Sequence, residues 1–422
     1  MRLRLNQLGS RFTWATGIED TFIVDPCPRT GRVMDQYELS EHYARWAEDL
    51  DLMRQLGVGA ARYGIPWYRV NPAPRRWDWA WIDRVVERLL ELGIEPIVDL
   101  VHYGTPAWLP RAFLAPEYPQ RVAEYAGEFA ARFRGRVRCF TPLNEPRIAA
   151  WYCGMIGWWP PYLRGWRGFV TVLMALCEGM LRTMAAVRAA DAANLIVHAD
   201  AADLYTASEL ELHPETALRQ HIVFLALDLI SGRVGGEHPL YAWLLRNGAT
   251  EPQLAWFREH AGAVDVVGFN MYPMFSAKEI VRQGAGTRVR MRRATRAALE
   301  ALADLYWTRL RRPMMITETA AAGSVRRRLT WLRDSVQAVA ALRARGVPVI
   351  GYTWWPLFSL IAWAYRQGRR PLESYWVRMG LWDIEPLRTG NLERIRTPLV
   401  DAFRAITERG EADVGPLAPP AA

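Results

Sequence analysis

The sequence predicts an α/β protein, a (β/α)8 TIM barrel forming a single domain over residues 1–408, from three observations. Eight short apolar, strand-like runs alternate with helix-like stretches; such alternation indicates a parallel sheet, and eight units close into a barrel rather than an open doubly wound sheet. Connections before the strands are short, as at 92–93 and 345–346. Those after the strands are long and rich in Trp, Tyr and Pro, at 103–118, 147–164, 272–293 and 355–383, which places function on the C-terminal face. Finally, two strands end in glutamate: VRCFTPLNEP (137–146) delivers Glu145, and PMMITET (313–319) delivers Glu318.

In order, FTWAT (12–16) is the first strand, followed by Glu19 and Asp20. Apolar residues three and four apart from Tyr43 to Leu56 mark a helix over 41–56, stopped by Gly57. GAARYGI (59–65) is the second strand. Asp78 caps the next helix, whose apolar face carries Trp81, Val85, Leu89 and Leu92. Strands at 93–101, 137–144, 195–201, 264–270, 313–319 and 347–355 then alternate with helices at 119–133, 166–190, 214–230, 295–310 and 327–344, and a helix at 396–408 closes the chain. Pro146 fixes its own φ and keeps Glu145 out of helical geometry, so this carboxylate belongs to the strand tip. Residues 409–422, rich in Pro, Ala and Gly, read as a disordered tail.

Hydrophobic residues at 51% and charged at 23% fit a soluble globular chain. The net charge of +9 invites a nucleic-acid reading, yet the basic residues are almost all arginine, Lys278 being the single lysine. They are scattered among acidic residues on helices without a recognition signature, so no nucleic-acid partner is expected. The uncharged run 347–365 is 19 residues long, near the length of a membrane span. Pro348, Gly351 and Pro356 within it indicate a buried strand and loop instead, and no membrane association is expected. Cys27, Cys139, Cys153 and Cys177 show no metal-ligand spacing. Their isolation, with an N-terminus lacking an apolar h-region, points to the cytoplasm. No HExxH, P-loop or dinucleotide motif occurs in its required context, so neither metal nor cofactor is expected. Oligomeric state is not legible.

The strand ends accumulate chemistry: Arg62, His102, Asn144 with Glu145, Asn270 with Tyr272, Glu318 and Trp355. Facing carboxylates at a barrel mouth suit glycosidic bond cleavage. A cation and a phenol would keep one ionised as nucleophile, and an apolar surround would raise the other's pKa to make an acid.

At these residues the chain resembles glycoside hydrolase family 1, the retaining β-glucosidase and β-galactosidase group. Asn144-Glu145-Pro146 resembles its acid/base motif and Ile316-Thr317-Glu318 its nucleophile motif. Arg62, His102, and Tyr272 in GFNMY resemble its second-, third- and sixth-strand residues, Trp355 and Trp363 follow its eighth-strand spacing, and RMGLWD (378–383) is similar to its closing signature. The resemblance implies a glycoside-cleaving barrel acting on a carbohydrate. Glu145 would be acid and base, Glu318 the nucleophile, Asn144 the holder of a 2-hydroxyl, and Arg62 and Tyr272 the groups that orient Glu318. Transglycosylation, a phosphosugar or uronide hydrolase and a non-catalytic carbohydrate-binding barrel are the alternatives.

The chain also departs from the family pattern. Thr319-Ala320 replaces Asn-Gly after Glu318. The first-strand glutamine falls on Gly17, although Glu19 is retained, and the eighth-strand glutamate that holds distal hydroxyls falls on Ala362. Each lost hydrogen-bonding side chain should weaken glucose recognition by about 1–3 kcal/mol. Trp108, Trp151, Trp158, Trp159 and Trp363 could stack on sugar or aglycone. Arg366, Arg369 and Arg370 could receive an anionic substituent, with a solvated basic loop as the simpler reading.

Overall fold

A computed structural model describes residues 12–386 and 391–417. Eight parallel strands close into a barrel: β1 (Thr13–Gly17), β2 (Ala60–Gly64), β3 (Glu95–Asp99), β4 (Cys139–Thr141), β5 (Leu195–Ala201), β6 (Val266–Asn270), β7 (Met314–Thr319) and β8 (Val349–Trp354), with β8 pairing back onto β1. The principal helices outside it are α1 (His42–Arg54), α2 (Ala80–Glu91), α3 (Tyr118–Arg132), α4 (Gly165–Ala190), α5 (His213–Ile230), α6 (Arg296–Leu310), α7 (Val325–Ala344) and α8 (Pro398–Arg409). Each strand contributes one side chain to a small interior cluster of Ala15, Ala60, Ile97, Cys139, Val197, Val266, Met315 and Ile350. The larger core lies between strands and helices. This is a filled barrel, not a pore.

Strand β4 ends earlier than its apolar run because Pro142 has no N–H to continue a ladder. Its tip is held instead by the Asn144 amide on the Val101 carbonyl and the Glu145 amide on the Ala199 carbonyl, both at 2.9 Å. In β7 the pairing shifts register on both sides between Ile316 and Glu318–Thr319, an irregularity of the kind that re-aims a side chain at a barrel rim.

The structure corrects two expectations and settles a third. Residues 272–293, read as a loop, contain an antiparallel hairpin of Ala277–Gln283 and Gly286–Arg292, extended by Leu204–Thr206. Residues 410–415 are not a loose tail. The Gly410 carbonyl accepts from Trp14 Nε1 at 2.8 Å, Glu411 accepts from the Phe12 amide and from Arg343, and Val414 is buried. Residues 418–422 of the expected tail lie outside the described residues. The uncharged stretch 347–365 becomes β8 and the loop after it, as its prolines imply. A different segment, α4, is long and apolar enough to cross a membrane, but most of it is buried within the barrel's outer layer.

Candidate active site

Arg62 is the hub. It projects from β2 and is fully buried, and a buried guanidinium must find acceptors for its fixed fork of donors. One terminal nitrogen donates to Glu318 at 2.5 Å and to the Thr317 carbonyl at 3.2 Å; the other donates to Asn144 Oδ1 at 3.0 Å and to Asp99. Its plane lies over the Trp355 ring, 4.9 Å from the centroid.

Glu318 and Glu145 are 3% and 6% exposed, and their partners differ in kind. Glu318 accepts from the Arg62 cation and from the Tyr272 hydroxyl at 2.5 Å. Burial pushes its pKa up, opposed by the charges of Arg62 and His102 and by both hydrogen bonds. Glu145 is held only by neutral donors, the Tyr103 hydroxyl and Asn270 Nδ2 at 2.9 Å. Burial, and next the negative charge of Glu318, push Glu145 up to about 7. Asn270 is fixed in turn by Thr317, whose hydroxyl donates to Asn270 Oδ1 at 2.7 Å.

Asn144 is saturated by the protein. Its carbonyl accepts from Arg62 and Asn270, and its amide nitrogen lies 3.0 Å from both His102 Nε2 and the Tyr103 hydroxyl. On its other side the His102 ring meets Asp20 at 2.5 Å and Asp99 at 3.1 Å through Nδ1. Burial raises Asp20 to about 7 against the pull of His102, and the two carboxylates hold the His102 pKa well above its ordinary value despite burial. Asp20, Asp99 and His102 bring three potential ligand atoms within 4.8 Å of one another. Arg62 and the imidazole already meet that negative charge, so the cluster is a poor cation site.

A second chain of contacts joins the remaining expected residues. Trp355 Nε1 donates to Glu19 at 3.1 Å, the Thr21 hydroxyl donates to the other Glu19 oxygen at 2.6 Å, and Trp363 Nε1 donates to Thr21 at 3.1 Å. Gly17 is sterically required here, since a Cβ on it would lie 2.1 Å from the Trp355 ring. Trp363 also packs with Tyr103, Tyr152 and Trp159, their ring centroids 5.1–5.2 Å from its own.

All ten sequence-predicted site residues therefore lie in one connected constellation. The loop tryptophans divide: Trp159 is buried in the ring cluster and the neighbouring Trp158 is partly exposed. Trp108 and Trp151 pack elsewhere, against Asn71 and Trp166. The arginines divide too. Arg366 is fully buried and donates to the carbonyls of Trp158 and Asp25 and to the Tyr162 hydroxyl at 2.7–2.8 Å, which makes it a loop strut and removes it as an anion receptor. Sequence reasoning missed Asp20, Asp99 and Tyr103. Asp99 could have been found as the one charged residue within IVDLV, a charge no buried strand carries without a partner.

Residues 15–272 match the family model described as glycosyl hydrolase family 1. The chain belongs to this family. Its relatives include a bifunctional beta-D-glucosidase/beta-D-fucosidase of Bifidobacterium breve, 39% identical over 131 residues, 29% of this chain and 27% of the relative. Beta-glucosidase A of Thermotoga maritima is 34% identical over 116 residues, 26% of each chain. The matched segments span between a quarter and a half of the first curated relatives' own lengths. The solved family 1 β-glucosidase from Thermotoga maritima superposes with a TM-score of 0.82 at 20% identity, covering 96% of this chain and 98% of that one. Its complex with deoxynojirimycin gives 0.81 at 19% identity, covering 94% and 98%. The barrel is the family's barrel.

Proposed function

We propose that this family 1 protein is a retaining β-glycosidase in which Glu318 is the nucleophile and Glu145 the acid and base. The observation carrying this reading is the unequal treatment of two buried carboxylates, one bound to a guanidinium and the other to neutral donors only. The Arg62 charge favours the ionised form of the first against its burial. The second, at about 7, can both give and take a proton near neutrality.

In the first step a Glu318 oxygen attacks the anomeric carbon, the bond to the leaving oxygen breaks, and the Glu145 proton passes to that oxygen. In the second, Glu145 takes a proton from water, the water oxygen bonds the anomeric carbon, and Glu318 departs as carboxylate. Arg62 and Tyr272 would orient Glu318, and His102, Asn144, Asn270, Trp355, Glu19 and Trp363 would line the sugar site. With Gly17 and Ala362 at two hydroxyl-binding positions, the preferred sugar differs from glucose at its fourth or sixth position.

Glu318→Gln should lower turnover of the best aryl β-glycoside by several orders of magnitude, and a fluoroglycoside should label Glu318 covalently. Near wild-type hydrolysis by that variant would refute the assignment. A screen of chromogenic β-glycosides varied at the fourth and sixth positions tests the sugar preference, with glucosides leading by a wide margin as the contrary result.

A further inference from the structure

We propose that Tyr103 is a positioning residue for Glu145, holding its carboxylate as an acceptor so that it can act as base once the leaving group has departed. The inference rests on the reading of Glu145 given above. Tyr103 is fully buried, donates its hydroxyl proton to Glu145 Oε2 and accepts from Asn144 Nδ2 at 3.0 Å. Because Asn144 Nδ2 can only donate to this oxygen, the hydroxyl proton is given to the acceptor on the other side, Glu145. The ring is braced by Trp159 at 5.1 Å and Trp363 at 5.2 Å.

The backbone supports the same conclusion. Tyr103 has φ +71° and Glu145 φ +45°, the left-handed region that residues other than glycine seldom adopt. Two residues joined by a hydrogen bond are thus both held in sparsely populated backbone states, and such states persist where surrounding contacts over-determine them.

The other ionisable groups acting on Glu145 are Glu318, whose charge lifts its pKa, and His102, whose charge lowers it; Tyr152, Tyr272 and Lys278 feel its field. Against burial and the Glu318 charge, the Tyr103 bond favours the ionised form of Glu145, as do the Asn270 bond and the His102 charge.

The test is the titration of Glu145 followed by ¹³C NMR in protein labelled at glutamate Cδ, assigned with Glu145→Gln and read without substrate. Tyr103→Phe, which deletes one oxygen, should raise the Glu145 midpoint by about one to two pH units, and Tyr103→Leu should give the same sign. Tyr152→Phe, in the same ring cluster but without a bond to Glu145, should leave it in place. Kinetically, Tyr103→Phe should accumulate the glycosyl-enzyme at neutral pH, and azide, which needs no base, should restore its breakdown. An unchanged or lowered midpoint in both Tyr103 variants, or an equal rise in Tyr152→Phe, overturns the proposal. Because the titration needs no turnover, failure to cleave any glycoside would count against the proposed activity and not against this contact.

Discussion

Arg62→Gln tests the site at its hub. The substitution takes the guanidinium from two buried carboxylates, leaving Glu318 with Tyr272 and Asp99 with His102, and removes the donors to Asn144 and the Thr317 carbonyl. Breaking a buried ion pair by deleting one partner costs about 3–5 kcal/mol. Both carboxylates are essentially sealed from water, so solvent offers little compensation and the upper part of that range is expected. The pH dependence carries more information. Burial alone would raise Glu318, and the Arg62 charge is the strongest influence opposing it. Without Arg62 the Glu318 pKa climbs, the ionised nucleophile first forms at higher pH, and the acidic limb of kcat/KM moves up. Arg62→Lys keeps the charge but not the planar fork, so it should recover most of the limb and less of the stability. Urea unfolding at constant m-value and pH–rate profiles measure the two effects. A stability loss below about 1 kcal/mol together with an unmoved acidic limb would refute the reasoning.

Three further outcomes are expected. Wild-type kcat/KM should fall as pH rises through about 7, where Glu145 loses the proton it must donate; an activity plateau extending well above that pH would exclude Glu145 as the acid. Gly17→Ala should destabilise by about 1–3 kcal/mol, because its Cβ would sit 2.1 Å from the Trp355 ring and 2.6 Å from the Arg62 carbonyl, as thermal unfolding would report. Arg366→Gln should destabilise by about 1–3 kcal/mol by removing a buried guanidinium and its three hydrogen bonds to loop acceptors, whereas Arg370→Gln, on the exposed loop, should stay within about 0.5 kcal/mol. Equal stability of the two arginine variants would contradict the division of that loop.

The sequence by itself determined the architecture and picked out the two strand-tip glutamates proposed as the reacting pair. Strand periodicity, turn residues and the placement of Glu145 and Glu318 at strand tips are local properties, and a parallel barrel converts strand tips into a shared face whatever the intervening chain does. Local pattern also carried most of the expected site residues, which sit at or just beyond a strand end, whereas Glu19 and Trp363 came from the resemblance to family 1. Tertiary structure alone decided which partner each side chain has. Arg62 meets Glu318 across 256 residues of chain, and Arg366 meets the Asp25 carbonyl across 341; no periodicity encodes such pairings. For that reason only the structure separates the buried Arg366 from the rest of its loop and packs residues 410–415 under β1, and the partners of Asp20, Asp99 and Tyr103 are legible only there, even though an aspartate within IVDLV signals that some partner must exist. A buried polar group is defined by what satisfies it, and in this barrel the satisfying atoms come from other strands.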